Sequence, residues 1–279
     1  MKDNTKWFAD CGWGVFCHWL GAAPSSDGGA ELTAEAWNRQ VDAFDVAGLA
    51  AQLEAVGAPY FFITIGQNSG HFLAPNETYD RYVGVSPSKC SRRDLVADLC
   101  AALQPRGIHL LVYLPSGAPA ADPVAMKRLD WEWGFEGEWP HSWGGKRTGK
   151  RLAAFQRKWE AVIAEWSARW GGKVRGWWID GCYFADEMYR HEDSPNFRSF
   201  AAALKAGNPE SIIAFNPGVV VPVVCHTQHE DYTAGEISAA LPECPGAWVE
   251  RGGHKARYHI LSYLGQSWCN GEPRFPDEL

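Results

Sequence analysis

The stretch Arg175-Gly176-Trp177-Trp178-Ile179-Asp180-Gly181-Cys182 carries an apolar run straight into an acid and a glycine. Trp177, Trp178 and Ile179 have the bulk and brevity of a strand buried on both faces, and Gly181 lets the backbone turn immediately after Asp180. One carboxylate is therefore expected at the C-terminal end of a buried strand. In parallel α/β folds, and in (β/α)8 barrels above all, catalytic groups gather at that end. Taken alone, the stretch also allows a simpler role in which Asp180 forms a turn or caps the next helix.

Working outward, short apolar runs alternate with amphipathic stretches. Strands are expected over Trp13–His18, Tyr60–Ile65, His109–Leu114, Val174–Ile179 and Ser211–Phe215. Helices are expected over Thr33–Val56, from a capping-box-like Ser91/Asp94 start to Pro105, and over Leu152–Trp170 and Phe197–Lys205. Weaker strand candidates surround Tyr232 and Tyr258–Leu264. Repeated strand–helix alternation with buried strands predicts an α/β fold of the (β/α)8 type, residues 1–279 forming one barrel domain. The chain stops at Arg274–Leu279, where a last helix and an eighth strand are still due. Either the barrel is incomplete or another chain closes it, which makes a homo-oligomer a candidate assembly.

The 279 residues are 46% hydrophobic and 21% charged, the composition of a soluble globular protein with a large core. A net charge of −7 without an offsetting Lys/Arg cluster argues against nucleic-acid and anionic-membrane partners. The one locally basic run, Lys146–Arg151, is glycine-rich and reads as a solvated loop. No apolar run approaches the length of a membrane span, and no signal-peptide core precedes Trp7, so the expected compartment is cytoplasmic. No G-x-G-x-x-G or P-loop follows the first strand, which weakens a nucleotide reading. The eight cysteines show no C-x-x-C and read as reduced small residues. Cys225-His226-Thr227-Gln228-His229-Glu230-Asp231 is rich in ligand-type side chains, but no complementary pair with metal spacing occurs elsewhere. It reads as a polar loop at the barrel's mouth, and no metal or cofactor is expected.

Polar residues recur where each inferred strand ends: His18 and Trp19, Gln67 and Asn68, Ser116, Asp180, and Asn216. Any one could be a satisfied loop residue. Together, amides, a hydroxyl, an imidazole, a carboxylate and tryptophans suit a neutral polyol better than a phosphate or a metal. Fifteen tryptophans point weakly the same way, since aromatic rings serve as sugar platforms and also as ordinary core residues.

The motif order resembles a known family. Trp7-Phe8, Gly14-Val15-Phe16-Cys17-His18-Trp19, Gly57-Ala58-Pro59-Tyr60, Ile63-Thr64, Arg93-Asp94-Leu95-Val96, Leu111-Val112-Tyr113 with Ser116, and Trp178-Ile179-Asp180-Gly181 resemble the catalytic barrel of α-L-fucosidases, glycoside hydrolase family 29, over roughly residues 7 to 240. Asp231-Tyr232-Thr233-Ala234-Gly235-Glu236 is similar to the family's Asp-Tyr-x-Thr-Pro-Glu segment. The resemblance implies a retaining glycosidase with a carbohydrate substrate, Asp180 as nucleophile and Glu236 as acid/base, Glu250 being the second choice for the acid. It further implies His18, Trp19, Gln67, Asn68, His71, Tyr113, Trp178 and Asn216 around the sugar. Such chemistry needs two carboxyl groups about 5 Å apart, one ionised and one protonated. The second strand departs from the family's Lys-His-His-Asp-Gly and reads Gly66-Gln67-Asn68-Ser69-Gly70-His71. Gln67 and Asn68 can hydrogen-bond hydroxyls but carry no charge, which leaves open a glycosidase for a different sugar, or a non-catalytic carbohydrate-binding barrel.

Overall fold

A computed structural model describes residues 3–21, 32–137, 145–182, 189–238, 241–265 and 268. The expected last helix and eighth strand at Arg274–Leu279, and Cys269, lie outside the described residues. Five parallel strands form one sheet in chain order: β1 (Val15–Cys17), β2 (Tyr60–Thr64), β3 (His109–Pro115), β4 (Val174–Asp180) and β5 (Ile212–Phe215). The five expected strands all appear, each within two residues of its expected ends. Helices α1 (Lys6–Cys11), α2 (Ala34–Asp42), α3 (Val46–Ala55), α4 (Glu77–Val83), α5 (Leu95–Leu103), α6 (Pro123–Leu129), α7 (Ala153–Trp170) and α8 (Phe197–Leu204) complete the α/β pattern. The expected eight-stranded ladder is not what the described residues show. Past β5, Asp231 and Tyr232 donate to the Ile213 carbonyl, and single parallel bridges join Tyr232 to Arg257 and Glu236 to Leu261.

Two expectations about helices need correction. The run Thr33–Val56 is two helices, because Asp45 caps a new start by accepting from the Gly48 amide at 2.8 Å. Asp94, and not Ser91, caps α5, accepting from the Ala97 amide at 2.8 Å. Between Tyr232 and Leu264 the chain forms an antiparallel hairpin, β6 (Trp248–Arg251) with β7 (His254–Arg257), which the sequence pattern had not indicated.

The two-residue period of a strand sorts the sheet into two cores. Phe61, Ile63, Leu110, Val112, Leu114, Trp177, Ile179, Ile213 and Phe215 pack outward against helix residues such as Leu99, Trp166 and Phe200. The alternate residues Tyr60, Phe62, Leu111, Tyr113, Trp178, Ile212 and Ala214 form the inner cluster, joined by Tyr232 and Ala234. Helix α1 sets Phe8 into this cluster, with ring centroids 4.8 Å from Tyr60 and 5.0 Å from Tyr232. Burying a large apolar side chain of this kind stabilises by about 1.5–3 kcal/mol. Gly176 belongs to the inner face, and a Cβ there would meet Ile212 Cγ1 and Leu111 Cδ2 at 2.7 Å. Its missing side chain is what lets β3, β4 and β5 approach at that level.

The basic run Lys146–Arg151 is paired: Lys146 with Glu136, Lys150 with Glu132 and Arg151 with Asp193. No disulfide is present among the described residues, and no described helix is long and apolar enough to cross a membrane.

Candidate active site

The same alternation that builds the inner core places the polar cluster. One step beyond Trp178 on the inner face is Asp180; one step beyond Ala214 is Asn216; one beyond Ala234 is Glu236. Residues i and i+2 share a face, so an apolar inner layer followed by polar tips makes a polar floor at the strands' C-terminal ends.

Among the described residues, three donors and no acceptor reach the Asp180 carboxylate. Oδ2 accepts from Tyr113 Oη at 2.6 Å, and Oδ1 from the Gly181 amide and Asn216 Nδ2, each at 2.8 Å. Gly181 makes its contact from φ = 76°, a left-handed conformation that favours glycine. Asn216 is fully buried, and its Nδ2 also donates to Glu236 Oε2 at 2.5 Å, while Oδ1 accepts from the Gly218 amide. Two carboxylate oxygens that share one nitrogen at 2.8 and 2.5 Å cannot be more than about 5.3 Å apart. That bound on one oxygen pair is compatible with the carboxyl spacing of about 5–5.5 Å that retaining glycosidases use. Burial raises the pKa of Glu236, the Asn216 hydrogen bond opposes the shift, and the nearby charge of Asp180 adds to it.

His18 stands at the rim, its residue exposed but its ring edge-on to Tyr113 at 4.6 Å and Nδ1 2.5 Å from Thr64 Oγ1. Crowding lowers its pKa while Asp180 pulls the other way. Among the described residues Nε2 makes no hydrogen bond, so this nitrogen is available to a ligand. Gln67 donates its amide to Tyr113 Oη at 2.6 Å, which orients the tyrosine's own proton toward Asp180.

Other expected sugar contacts lie elsewhere. Trp178 is buried under the site, stacked on Tyr113 at 5.4 Å, its indole N–H satisfied by the Ala234 carbonyl at 3.1 Å. Trp19 packs against Trp37 and Phe44, and His71 is buried beside Trp37. Asn68 is exposed and ties the loop through its carbonyl to the Ala121 amide. Glu250 sits on the exposed hairpin, 3.6 Å from Lys255, which removes it from the carboxyl pair. Thr64 was missed in the sequence; the signal for it is its place two residues past Phe62 on the inner face.

The segment 225–231 lines a separate cavity and not the carboxyl cluster. No group of three His, Cys, Asp or Glu among the described residues could hold a metal ion. Within this segment Glu230 is buried, accepting from the His226 amide at 2.6 Å, and burial pushes its carboxyl up to about 8. An unfolded glutamate loses its proton near 4.5, so from there to about 8 unfolding releases a proton that the fold retains. Stability from this group is complete below the lower value and is lost as pH rises, by about 1.4 kcal/mol per unit. Glu230→Gln is expected to flatten that decline in denaturant titrations from pH 5 to 8. Parallel pH curves for the two proteins would show that Glu230 is not held neutral.

No protein-family model matches the sequence, and no curated protein matches it either. Solved structures do resemble it in fold. An endo-fucoidan hydrolase of glycoside hydrolase family 107 superposes with a TM-score of 0.70 at 18% identity, over 99% of this chain and 46% of that one. A family 29 α-L-fucosidase from Bacteroides thetaiotaomicron, trapped as a covalent intermediate, gives 0.59 at 17% identity over 96% of this chain and 61% of that one. The α-L-fucosidase AlfC from Lactobacillus casei, holding α-L-fucose product, gives 0.53 at 17% over 85% and 74%. This chain thus spans less than half the length of the fucoidan hydrolase, and the likeness defines its fold.

Proposed function

We propose that this chain is a retaining glycosidase acting on α-L-fucosyl linkages, built on a (β/α)8-type barrel whose wall continues through residues 231–236 and 257–261. The observation that supports the reading is the Asn216 amide shared by Asp180 and Glu236, which brings two carboxyl groups close enough for the spacing a retaining mechanism needs. Asp180 attacks the anomeric carbon as the glycosidic C–O bond breaks, and Glu236 gives its proton to the departing oxygen. Water then loses a proton to the Glu236 carboxylate and attacks the same carbon, releasing Asp180. Tyr113 and Asn216 hold the nucleophile in place, Gln67 holds Tyr113, and His18 offers Nε2 to a sugar hydroxyl. The known fold-mates support fucose as the sugar: two α-L-fucosidases and an endo-fucoidan hydrolase. The last resembles the chain along nearly its whole length, so linkages inside a polymer belong to the proposal as well as terminal ones.

The test is a panel of aryl glycosides followed by proton NMR of the first product formed. Hydrolysis of the α-L-fucoside with initial release of the α-anomer is expected. Initial β-anomer would overturn retention. Turnover of another sugar alone would transfer the mechanism to that sugar, and binding without any turnover would leave a carbohydrate-binding barrel.

A further inference from the structure

Residues 189–192, the N-terminal end of α8, residues 226–229 and the tip of the β6–β7 hairpin line an open cavity of about 580 Å3 that neither Asp180 nor Glu236 lines. Among the described residues, Arg190, Arg198, Arg251 and His229 contribute to its wall with two further histidines, against one carboxylate, Glu192. For a chain whose net charge is −7, this is a marked local reversal of sign.

Several donors here are uncommitted. Arg198 is exposed and forms no ion pair or hydrogen bond among the described residues. Arg251 uses Nη1 alone, donating to the carbonyls of Cys225 at 3.3 Å and His226 at 2.5 Å, which leaves Nε and Nη2 for other acceptors. The His229 backbone amide reaches Thr227 Oγ1 at 3.4 Å, and its ring makes no hydrogen bond among the described residues. Burial depresses the pKa of His229, and the positive charges of Arg198 and His254 add to the shift. The amide end of α8 adds a partial positive charge from the same side.

We infer that this cavity binds a sulfate or phosphate group, either as the free ion or as an ester on a saccharide. Guanidinium and imidazole donors converging from three segments match a tetrahedral oxyanion, with acceptor oxygens in several directions, better than a planar carboxylate. The volume leaves room beyond a bare ion for the group that carries an ester.

Calorimetric titration with sodium sulfate and with sodium phosphate, at ionic strength fixed by chloride, reads the site without reference to catalysis. Saturable one-site binding is expected, weakened about tenfold or more by Arg198→Gln. Arg251→Gln should weaken it further, and because Arg251 also ties backbone carbonyls, Arg190→Gln serves as a second variant whose fold is checked by circular dichroism. A monosulfated fucoside compared with its unsulfated parent separates the sources; this arm alone rests on the proposed fucose chemistry. Tighter binding of the sulfated form than of inorganic sulfate supports the ester, and equal binding supports the free ion. Absence of saturable binding with all three probes, or undiminished affinity in Arg198→Gln, would overturn the assignment.

Discussion

Asp180→Asn is expected to reduce kcat/KM on an aryl α-L-fucoside by at least about ten-thousand-fold, because an amide replaces the attacking carboxylate. The contacts around residue 180 indicate that the fold survives. An asparagine oxygen still accepts from the Gly181 amide, and the inner-layer packing of Trp178 lies one step below. Loss of activity therefore reports chemistry and not unfolding, which unchanged thermal unfolding would confirm. Asp180→Gly extends the test, since it empties the space the carboxylate filled. Sodium azide should then restore turnover of an activated fucoside and yield a fucosyl azide of inverted configuration, the azide having attacked from the side Asp180 occupied. Near wild-type hydrolysis by either variant would remove Asp180 from the nucleophile's role.

Glu236→Gln should show a different signature. For a fucoside with a poor leaving group, loss of the general acid is expected to cost about 10²–10⁴-fold in rate, whereas a dinitrophenyl fucoside, which departs without a proton, should lose far less in its first step. The pH profile gives a second readout. As the proposed acid, Glu236 works only while protonated, so the wild-type rate is expected to fall as pH rises through its raised pKa. Glutamine has no proton to lose, and that alkaline limb should vanish. Glu250→Gln, on the hairpin beside Lys255, should leave both rate and profile unchanged. An alkaline limb that persists in Glu236→Gln would assign the acid to another group.

Much of this arrangement was legible before any coordinates. β4 announced itself because Trp177, Trp178 and Ile179 are too apolar for an edge, and Asp180 with Gly181 marked its end; the other four strands were legible as short apolar runs between amphipathic stretches. The partner of Asp180 was harder to choose. In the sequence only the motif around Glu236 ranks it ahead of Glu250, and what separates them in space is that Glu236 continues the inner face past Ala234 while Glu250 sits on an exposed hairpin. That hairpin escaped notice because β6 lacks alternating burial, so no periodic signal marks it. Nearness to a strand end along the chain does not say where a side chain points: Trp19 and His71 pack beside Trp37 and Trp178 lies one step below Asp180, whereas Thr64, two residues beyond Phe62, reaches His18.

The unequal anchoring of the two carboxyl groups bears on how such a site wears out. β4 has a hydrogen-bonded ladder on each side, so Asp180 is mounted on backbone that opens only when much of the sheet does. Glu236 stands on a segment tied to residues 257–261 by four backbone hydrogen bonds around two isolated bridges and not by a continuous ladder. Local fraying there needs fewer bonds to break. On warming, the wall that carries the proposed acid should loosen while the proposed nucleophile stays aligned, leaving a protein expected to accept a sugar from a good leaving group after it has ceased to cleave an ordinary glycoside. In such a protein the first casualty of heat is the range of bonds it can cleave, ahead of the fold.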